Sequence, residues 1–265
     1  MAPHVTLPTY YGRDEARPQF VRDLFDRTAG DYDTIESQVG LGSGRWYRRE
    51  ALQRAGLVTG MRVLDVAIGT GLVAREAIHI TGDAAPVIGV DPSIGMLSEA
   101  RRQLGIRGIL GLGERIPCRD ASFDFVSMGY ALRHLADLNA AFGEFARVLR
   151  PGGRLCVLEL TRPRSRLGHA CIRLYLHWLG PLLARLRTGH AEAAVVMRYF
   201  WDTIDACVPP ERILAALDQA GFVDVRRALA IGLFSEYTGR KPDGDPVPTT
   251  ARRERGNFFL RNLER

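Results

Sequence analysis

The chain has 265 residues, 46% of them hydrophobic and 25% charged, with 28 Gly and 14 Pro. These proportions lie near the averages of folded domains and exclude disordered, collagen-like and disulfide-scaffold classes. The formal net charge of +6 comes almost wholly from arginine, since Lys241 is the only lysine, and the arginines are scattered instead of gathered into a nucleic-acid surface.

Length allows one large domain or two small ones, and a single α/β domain with an insertion fits best. Cys118, Cys156, Cys171 and Cys207 stand far apart with no C-x-x-C pair, as expected of reduced thiols in a cytoplasmic chain. The segment MAPHVTLPTYYGRDEARPQF lacks the apolar core of a secretory signal, and no uncharged run reaches about 18 residues, so neither a cleaved leader nor a membrane span is expected. His169, His177 and His190 have no metal-ligand spacing, and no metal site is expected.

Residues 1–56 read as a helical cover. Periodicity is absent up to about residue 20; Phe20, Leu24 and Phe25, then Trp46, Tyr47 and Leu52, recur at helical spacing on either side of a GLGSG break. Residues 57–240 follow as one domain. MRVLDVA, PVIGVD, RGILGL, FDFVSMG and GRLCVLEL are strands, with helices beginning near Leu72, Ser93 and Ala136 between them, which gives a parallel sheet with right-handed crossovers. After Leu160 the rhythm breaks. An insertion over about 164–205 begins with two amphipathic helices containing CIRLYLHWLGPLLARL, a run too interrupted by Arg173, His177, Gly180, Pro181 and Arg185 to cross a bilayer. Its Trp178, Leu179, Leu182 and Leu183 read as core before membrane anchor, with contact with lipid the lesser alternative. A helix in PPERILAALDQAG precedes GFVDVRRALA and IGLFSEYTG, an antiparallel hairpin that closes the sheet, and residues 241–265 form a basic extension.

The densest chemical signal is RVLDVAIGTGLVAREA: a buried strand ending in Asp65, a turn with Gly69 and Gly71, then a helix whose first N–H groups face a ligand's polar atoms. Twenty residues after Gly71 a second strand ends in Asp91, whose two oxygens suit the two hydroxyls of a ribose. A nucleoside site at these strand ends follows. G-T-G-L-V-A also satisfies the loose dinucleotide fingerprint, so a nicotinamide-dependent oxidoreductase is a rival, as is a non-catalytic nucleoside-binding scaffold. The D-x-x-x-G-x-G spacing and the closing hairpin argue against the nicotinamide reading, as does the lone lysine, which leaves no Tyr-x-x-x-Lys pair.

VLDVAIGTG, GVDPSIGMLSEAR, GERIPCRDASFDFVSMGYALRHLAD and FARVLRPGGRLCVLEL together resemble a class I S-adenosylmethionine-dependent methyltransferase. LFDRTAGDYD, YALRHLAD, RVLRPGGRLCVLELTRP, WLGPLL, YFWDTI and AGFVDVRRALAIGLFSEYTG narrow the resemblance to the ubiquinone/menaquinone biosynthesis C-methyltransferases, over about Phe20 to Gly239. The resemblance implies a Rossmann-like α/β fold: a seven-stranded, mostly parallel sheet with an antiparallel last strand, helices on both faces and a helical insertion after strand five. It implies that Asp65, Gly69, Thr70 and Gly71 line the methionine and ribose portion of S-adenosyl-L-methionine, with Asp91 on the ribose hydroxyls. Leu112 and Gly113 fall at the adenine edge, and Gly129 stands where the family often has Ser. Arg133 matches the family's arginine, and the Asn that follows it is His134 here; the pair is assigned to stabilising and deprotonating the acceptor hydroxyl.

The implied acceptor is a lipophilic quinol or phenol methylated on a ring carbon, enclosed by the cover and the insertion. An oxygen- or carbon-methylating enzyme of specialised metabolism is the nearest alternative. Homodimerisation and peripheral contact with the inner membrane face stay open; nucleic acid is not expected, because no Asn/Asp-Pro-Pro-Tyr element and no basic aromatic groove occurs.

Overall fold

A computed structural model describes residues 1–39, 44–84 and 86–244; most of the GLGSG break and the extension beyond residue 244 fall outside them. The described N-terminal segment carries α1 (Pro8–Tyr11), α2 (Arg17–Thr28), α3 (Tyr32–Val39) and α4 (Gly44–Arg54). The alternating unit follows as β1 (Val63–Val66), α5 (Leu72–Thr81), β2 (Val87–Asp91), α6 (Ile94–Leu104), β3 (Arg107–Leu110), β4 (Phe123–Gly129), α7 (Leu138–Val148) and β5 (Leu149–Leu160). The insertion holds α8 (Arg166–Leu174), α9 (Gly180–Thr188) and α10 (Ala191–Ala206); α11 (Pro210–Gln219), β6 (Val223–Ala230) and β7 (Phe234–Arg240) complete the domain.

The seven strands lie in the order β3-β2-β1-β4-β5-β7-β6, with β7 antiparallel to both its neighbours and the other pairings parallel. The last strand therefore sits inside the sheet, between β5 and β6. Alternation along β1 divides the core: Leu64 and Val66 join Phe142, Phe145 and Leu217 on one face, whereas Val63 joins Leu52, Ala74 and Phe125 on the other. Helix starts follow their caps. Ser93 caps α6 by accepting from Met96 N, and Asp137 caps α7 by accepting from Ala140 N, which moves that helix two residues beyond the expected Ala136.

The N-terminal helices and the insertion share a third cluster, in which Tyr11, Val21, Leu24 and Ile35 pack with Val196, Met197, Tyr199 and Phe200. Polar ties reinforce it: Tyr10 Oη donates to Asp202 Oδ2 at 2.5 Å, and His190 Nδ1 lies 2.5 Å from Asp31 Oδ2. The insertion does not fold as two plain α-helices. A wide π turn over Tyr175–Leu179 joins α8 to α9, and Gly180 follows it, where a Cβ would lie 3.0 Å from the Tyr175 carbonyl oxygen and 2.4 Å from Met197 Cε on α10. No helix among the described residues is long and apolar enough to cross a membrane.

Candidate active site

A cavity of about 350 Å³ opens at the carboxyl ends of β1, β2 and β4, where an open α/β sheet places its ligands, and α2 and α3 contribute the opposite wall. Two non-glycine residues with positive φ bracket it, Ala67 (52°) just after β1 and Tyr130 (59°) just after β4. Both line the cavity, and strain of this kind persists only where surrounding packing imposes it.

The sequence-predicted cofactor residues converge here. Asp65 is paired in register with Ser127, whose hydroxyl donates to Asp65 Oδ1 at 2.7 Å, while Oδ2 is buried without a hydrogen-bond partner. Burial pushes the Asp65 carboxyl up to about 7 against the opposing pull of the Ser127 hydroxyl. Asp91 accepts from the Gly69 N–H at 2.9 Å and the Ser93 N–H at 2.9 Å, and burial pushes it up to about 6 despite those two bonds. This carboxylate therefore fixes the glycine turn itself, and each oxygen retains a second lone pair for a ligand hydroxyl.

The glycines have distinct reasons. Gly69 has φ +56° and open space where a Cβ would project, whereas a Cβ on Gly71, at φ +93°, would lie 2.5 Å from Leu104 Cδ1. The Thr70 hydroxyl, buried, donates to Asp33 Oδ1 at 2.5 Å and ties α3 to the turn. Leu112 and Gly113 line the cavity together, as does Gly129. At Gly129, a Cβ would lie 2.3 Å from Val73 Cγ2, so Val73 occupies the space that a Ser at this position needs. The unpartnered oxygen of Asp65, the open side of Gly69 and the two carboxylates at adjacent strand ends suit S-adenosylmethionine, which carries a cationic amino group and a ribose diol.

Arg133 and His134 separate in the structure. Arg133 is not part of the cavity wall: its side chain is buried in an ion pair with Glu159, its Nε donates to Thr203 Oγ1 at 3.0 Å, and Nη1 donates to the Tyr130 carbonyl at 2.8 Å. Its charge is matched here by a carboxylate on β5 and not by a group in the cavity. Its placement instead joins β5, α10 and the strained Tyr130. His134 does line the cavity, with its ring 5.4 Å from Tyr199 in a near-parallel stack and 5.3 Å from Phe25 edge-on. Both ring nitrogens are buried without hydrogen-bond partners, and burial, followed by the nearby Arg133, Arg17 and His4, holds its pKa well below the usual histidine value. His134 is neutral at pH 7.

Trp178, Leu179, Leu182 and Leu183, read as core from the sequence, do not line the cavity either, and the first, second and third of these are exposed. Opposite the strand ends the cavity is walled by Val21, Phe25 and Tyr32 from the cover, with Tyr130 and Leu135 facing them from the loops after β4.

Two residues of this wall lie where the sequence offered no motif. Arg17 is buried, lines the cavity and donates through Nη2 to the Arg133 carbonyl at 2.7 Å. Arg48 pairs with Glu36 and lies over the Tyr130 ring, 5.4 Å from its centre. Asp26 accepts from Ser93 Oγ at 2.5 Å and Gly95 N at 2.9 Å, so α2 caps the helix that follows Asp91. Arg17 and Arg48 sit on helices that carry several other charged residues, so neither stands out in the sequence, whereas Asp26 lies within LFDRTAGDYD.

The description "ubiE/COQ5 methyltransferase family" belongs to the family model that matches residues 13–241. A demethylmenaquinone methyltransferase of Mycobacterium sp. (strain KMS) is 34% identical over 229 residues, covering 86% of this chain and 96% of its own. The ubiquinone/menaquinone biosynthesis C-methyltransferase UbiE of Cellvibrio japonicus is 30% identical over 236 residues, covering 86% and 94%. Among solved structures, a SAM-dependent methyltransferase of Thermotoga maritima aligns with a TM-score of 0.57 at 22% identity, covering 83% of this chain and 99% of its own, and shares the fold.

Proposed function

The chain belongs to the ubiE/COQ5 methyltransferase family and is an S-adenosylmethionine-dependent methyltransferase, and from that premise we propose that it methylates a ring carbon of a lipophilic quinol in quinone biosynthesis. The nicotinamide-dependent reading of the glycine turn is set aside with this membership. The observation that carries the proposal is the aromatic wall opposite the strand ends: Phe25, Tyr32, Tyr130 and His134 offer a planar, apolar acceptor a stacking surface next to the cofactor residues.

S-adenosylmethionine supplies the methyl group and leaves as neutral S-adenosylhomocysteine. Asp65 would hold its amino end, Asp91 its ribose, and Leu112 and Gly113 its adenine edge. The protein's own task is alignment and exclusion of water, because in-line methyl transfer gains most from a fixed attack geometry. For a ring carbon to attack, electron density must move from the acceptor's hydroxyl into the ring. His134, neutral and without another partner, would accept that hydroxyl's hydrogen bond. Burial first, and the cationic groups around it second, disfavour a lasting imidazolium. His134 would therefore take the hydroxyl proton only as the new carbon–carbon bond forms and the carbon–sulfur bond breaks, and return it to that oxygen when the ring-carbon proton displaced by the methyl group leaves to solvent. Arg17, which lines the same wall, would stabilise the charge left on oxygen. Arg133 positions both: its carbonyl receives Arg17, and its side chain locks the turn that presents His134.

The test is incubation of the enzyme with methyl-labelled S-adenosylmethionine and a chemically reduced, prenylated naphthoquinol or benzoquinol, followed by NMR of the product. A labelled methyl on a ring carbon, with S-adenosylhomocysteine formed in equal amount, is the expected result. A labelled methoxy group would establish oxygen methylation instead. Turnover with simple phenols and none with either quinol would favour the specialised-metabolism reading.

A further inference from the structure

The insertion carries a surface that the cavity does not use. Leu167, Cys171, Leu174, Trp178, Leu182 and Leu186 recur at steps of three and four residues along α8, the π turn and α9, and all are exposed, with Leu167 at 76%, Trp178 at 67% and Leu186 at 72%. Four-residue steps drift by about 40° each in an α-helix. The π turn over Tyr175–Leu179 winds more slowly and takes up that drift, so the apolar residues stay in one stripe for about 30 Å. The opposite side of the same helices supplies Leu176, Gly180, Pro181 and Ala184 to the interior, which fixes the stripe's direction outward.

Charge specifies what the stripe meets. Thr161 to His190 contains six arginines and no Asp or Glu. Arg162 pairs with Asp205, but Arg164, Arg166, Arg173, Arg185 and Arg187 make no ion pair among the described residues. A helical hairpin with leucines and a tryptophan on one face and unmatched arginines beside them has the character of an interfacial helix, which lies in the headgroup region with its apolar face among the acyl chains. A protein partner would need an acidic patch concentrated opposite these arginines, whereas anionic headgroups neutralise all of them at once.

We propose that the outer face of α8 and α9 docks on an anionic phospholipid bilayer. The docked surface is one helix layer from the site: α9 packs on α3, and α3 gives Tyr32 and Glu36 to the cavity wall. A lipophilic acceptor therefore approaches from the layer in which it dissolves. The docking stands on the stripe and its arginines and does not depend on which acceptor is methylated.

Sedimentation of the full chain with vesicles tests it, using phosphatidylcholine alone and equal parts of phosphatidylcholine and phosphatidylglycerol at physiological ionic strength. The protein is expected to pellet with the mixed vesicles and stay in solution with the neutral ones. The double variant Trp178→Glu with Leu182→Glu should lose at least tenfold in vesicle affinity, and each of Arg185→Gln and Arg187→Gln should lose roughly fivefold. Unchanged S-adenosylhomocysteine affinity in all variants would show that they remain folded. A polarity-sensitive label on exposed Cys171 should shift to the blue on binding. Equal pelleting of the Trp178→Glu, Leu182→Glu variant and the parent would overturn the proposal and move the contact elsewhere, such as the basic extension. No pelleting of the parent, with a dimer that the double variant dissociates, would overturn it in favour of a second copy of this chain.

Discussion

The two walls of the cavity are built in opposite ways. The cofactor wall comes from strand ends and the turns that follow them, Asp65, Gly69, Asp91 and Gly129, each held by a sheet whose register is fixed on both sides. The acceptor wall comes from distant segments, Arg17, Phe25 and Tyr32 against Tyr130 and His134, held by aromatic packing and one buried ion pair. Under the proposed function, a common ligand would be read by backbone and carboxylates at rigid positions, while the variable ligand would meet side chains carried on a helical cover. If the walls are independent, a change in one should leave the other's binding intact.

The largest expected effect tests that independence. His134→Ala should lower kcat by about 10²–10⁴-fold, the usual loss when a positioned proton acceptor is removed, with S-adenosylhomocysteine affinity unchanged by calorimetry. His134→Asn, which restores the residue of the related family, should recover part of the rate because an amide oxygen also accepts a hydrogen bond. Parallel loss of cofactor affinity in His134→Ala would merge the two walls into one unit. Next in size, Arg133→Ala should destabilise the protein by about 3–5 kcal/mol in urea denaturation, since it strands Glu159 as a buried, unpaired charge. Arg133→Met combined with Glu159→Leu should restore much of that stability while still lowering kcat/KM, which would separate the ion pair's role in folding from its role in presenting His134.

The same contrast governs what could be read in advance. The strand pattern, the antiparallel hairpin, the glycine turn and the acid at the end of β2 are local, so spacing along the chain was enough to place Asp65 next to Asp91. Resemblance added Leu112, Gly113 and Gly129. The acceptor wall was less legible, because nothing near Arg17 or Arg48 in the chain indicates which loop it will meet across the cavity. Adjacency misled in one place: Arg133 and His134 are neighbours in sequence, but the short helical turn at Leu132–His134 sends one side chain to Glu159 and the other to the cavity. The insertion misled for another reason. Its apolar residues have the pattern of a buried face, and only packing against α10 and α3 reveals which of its two apolar stripes is covered.

Gly129 offers a smaller test on the cofactor wall. Its missing side chain is matched by Val73 on α5, so Gly129→Ala should cost about 1–3 kcal/mol by overpacking. Val73→Ala in the same chain removes the methyl group that would clash, and should return most of the loss in thermal denaturation. Failure of that rescue would mean that the β4 end is constrained by more than Val73, and that the cofactor wall tolerates less change than its open turn at Gly69 suggests.

The smallest effect is a pH dependence confined to the cofactor wall. Asp65 at about 7 and Asp91 at about 6 both lie above the usual carboxylate range because burial disfavours their charged forms. In the unliganded protein the folded state therefore holds protons that the unfolded chain has released, and these groups lower stability as pH rises from about 4 to about 7. A ligand with a cationic amino group reverses the preference at Asp65 by favouring the carboxylate. S-adenosylhomocysteine affinity should accordingly rise with pH below about 7, by up to about tenfold per pH unit, and level off above it. Asp65→Asn should bind more weakly at neutral pH, with a flatter profile, and should raise the stability of the unliganded protein at about pH 8, where the parent carries the ionised, buried carboxylate. His134 has no counterpart in that profile near neutral pH, since burial holds its pKa well below the usual histidine value. A binding curve whose inflection persists unchanged in Asp65→Asn would assign the titration to another group and remove the electrostatic distinction between the two walls.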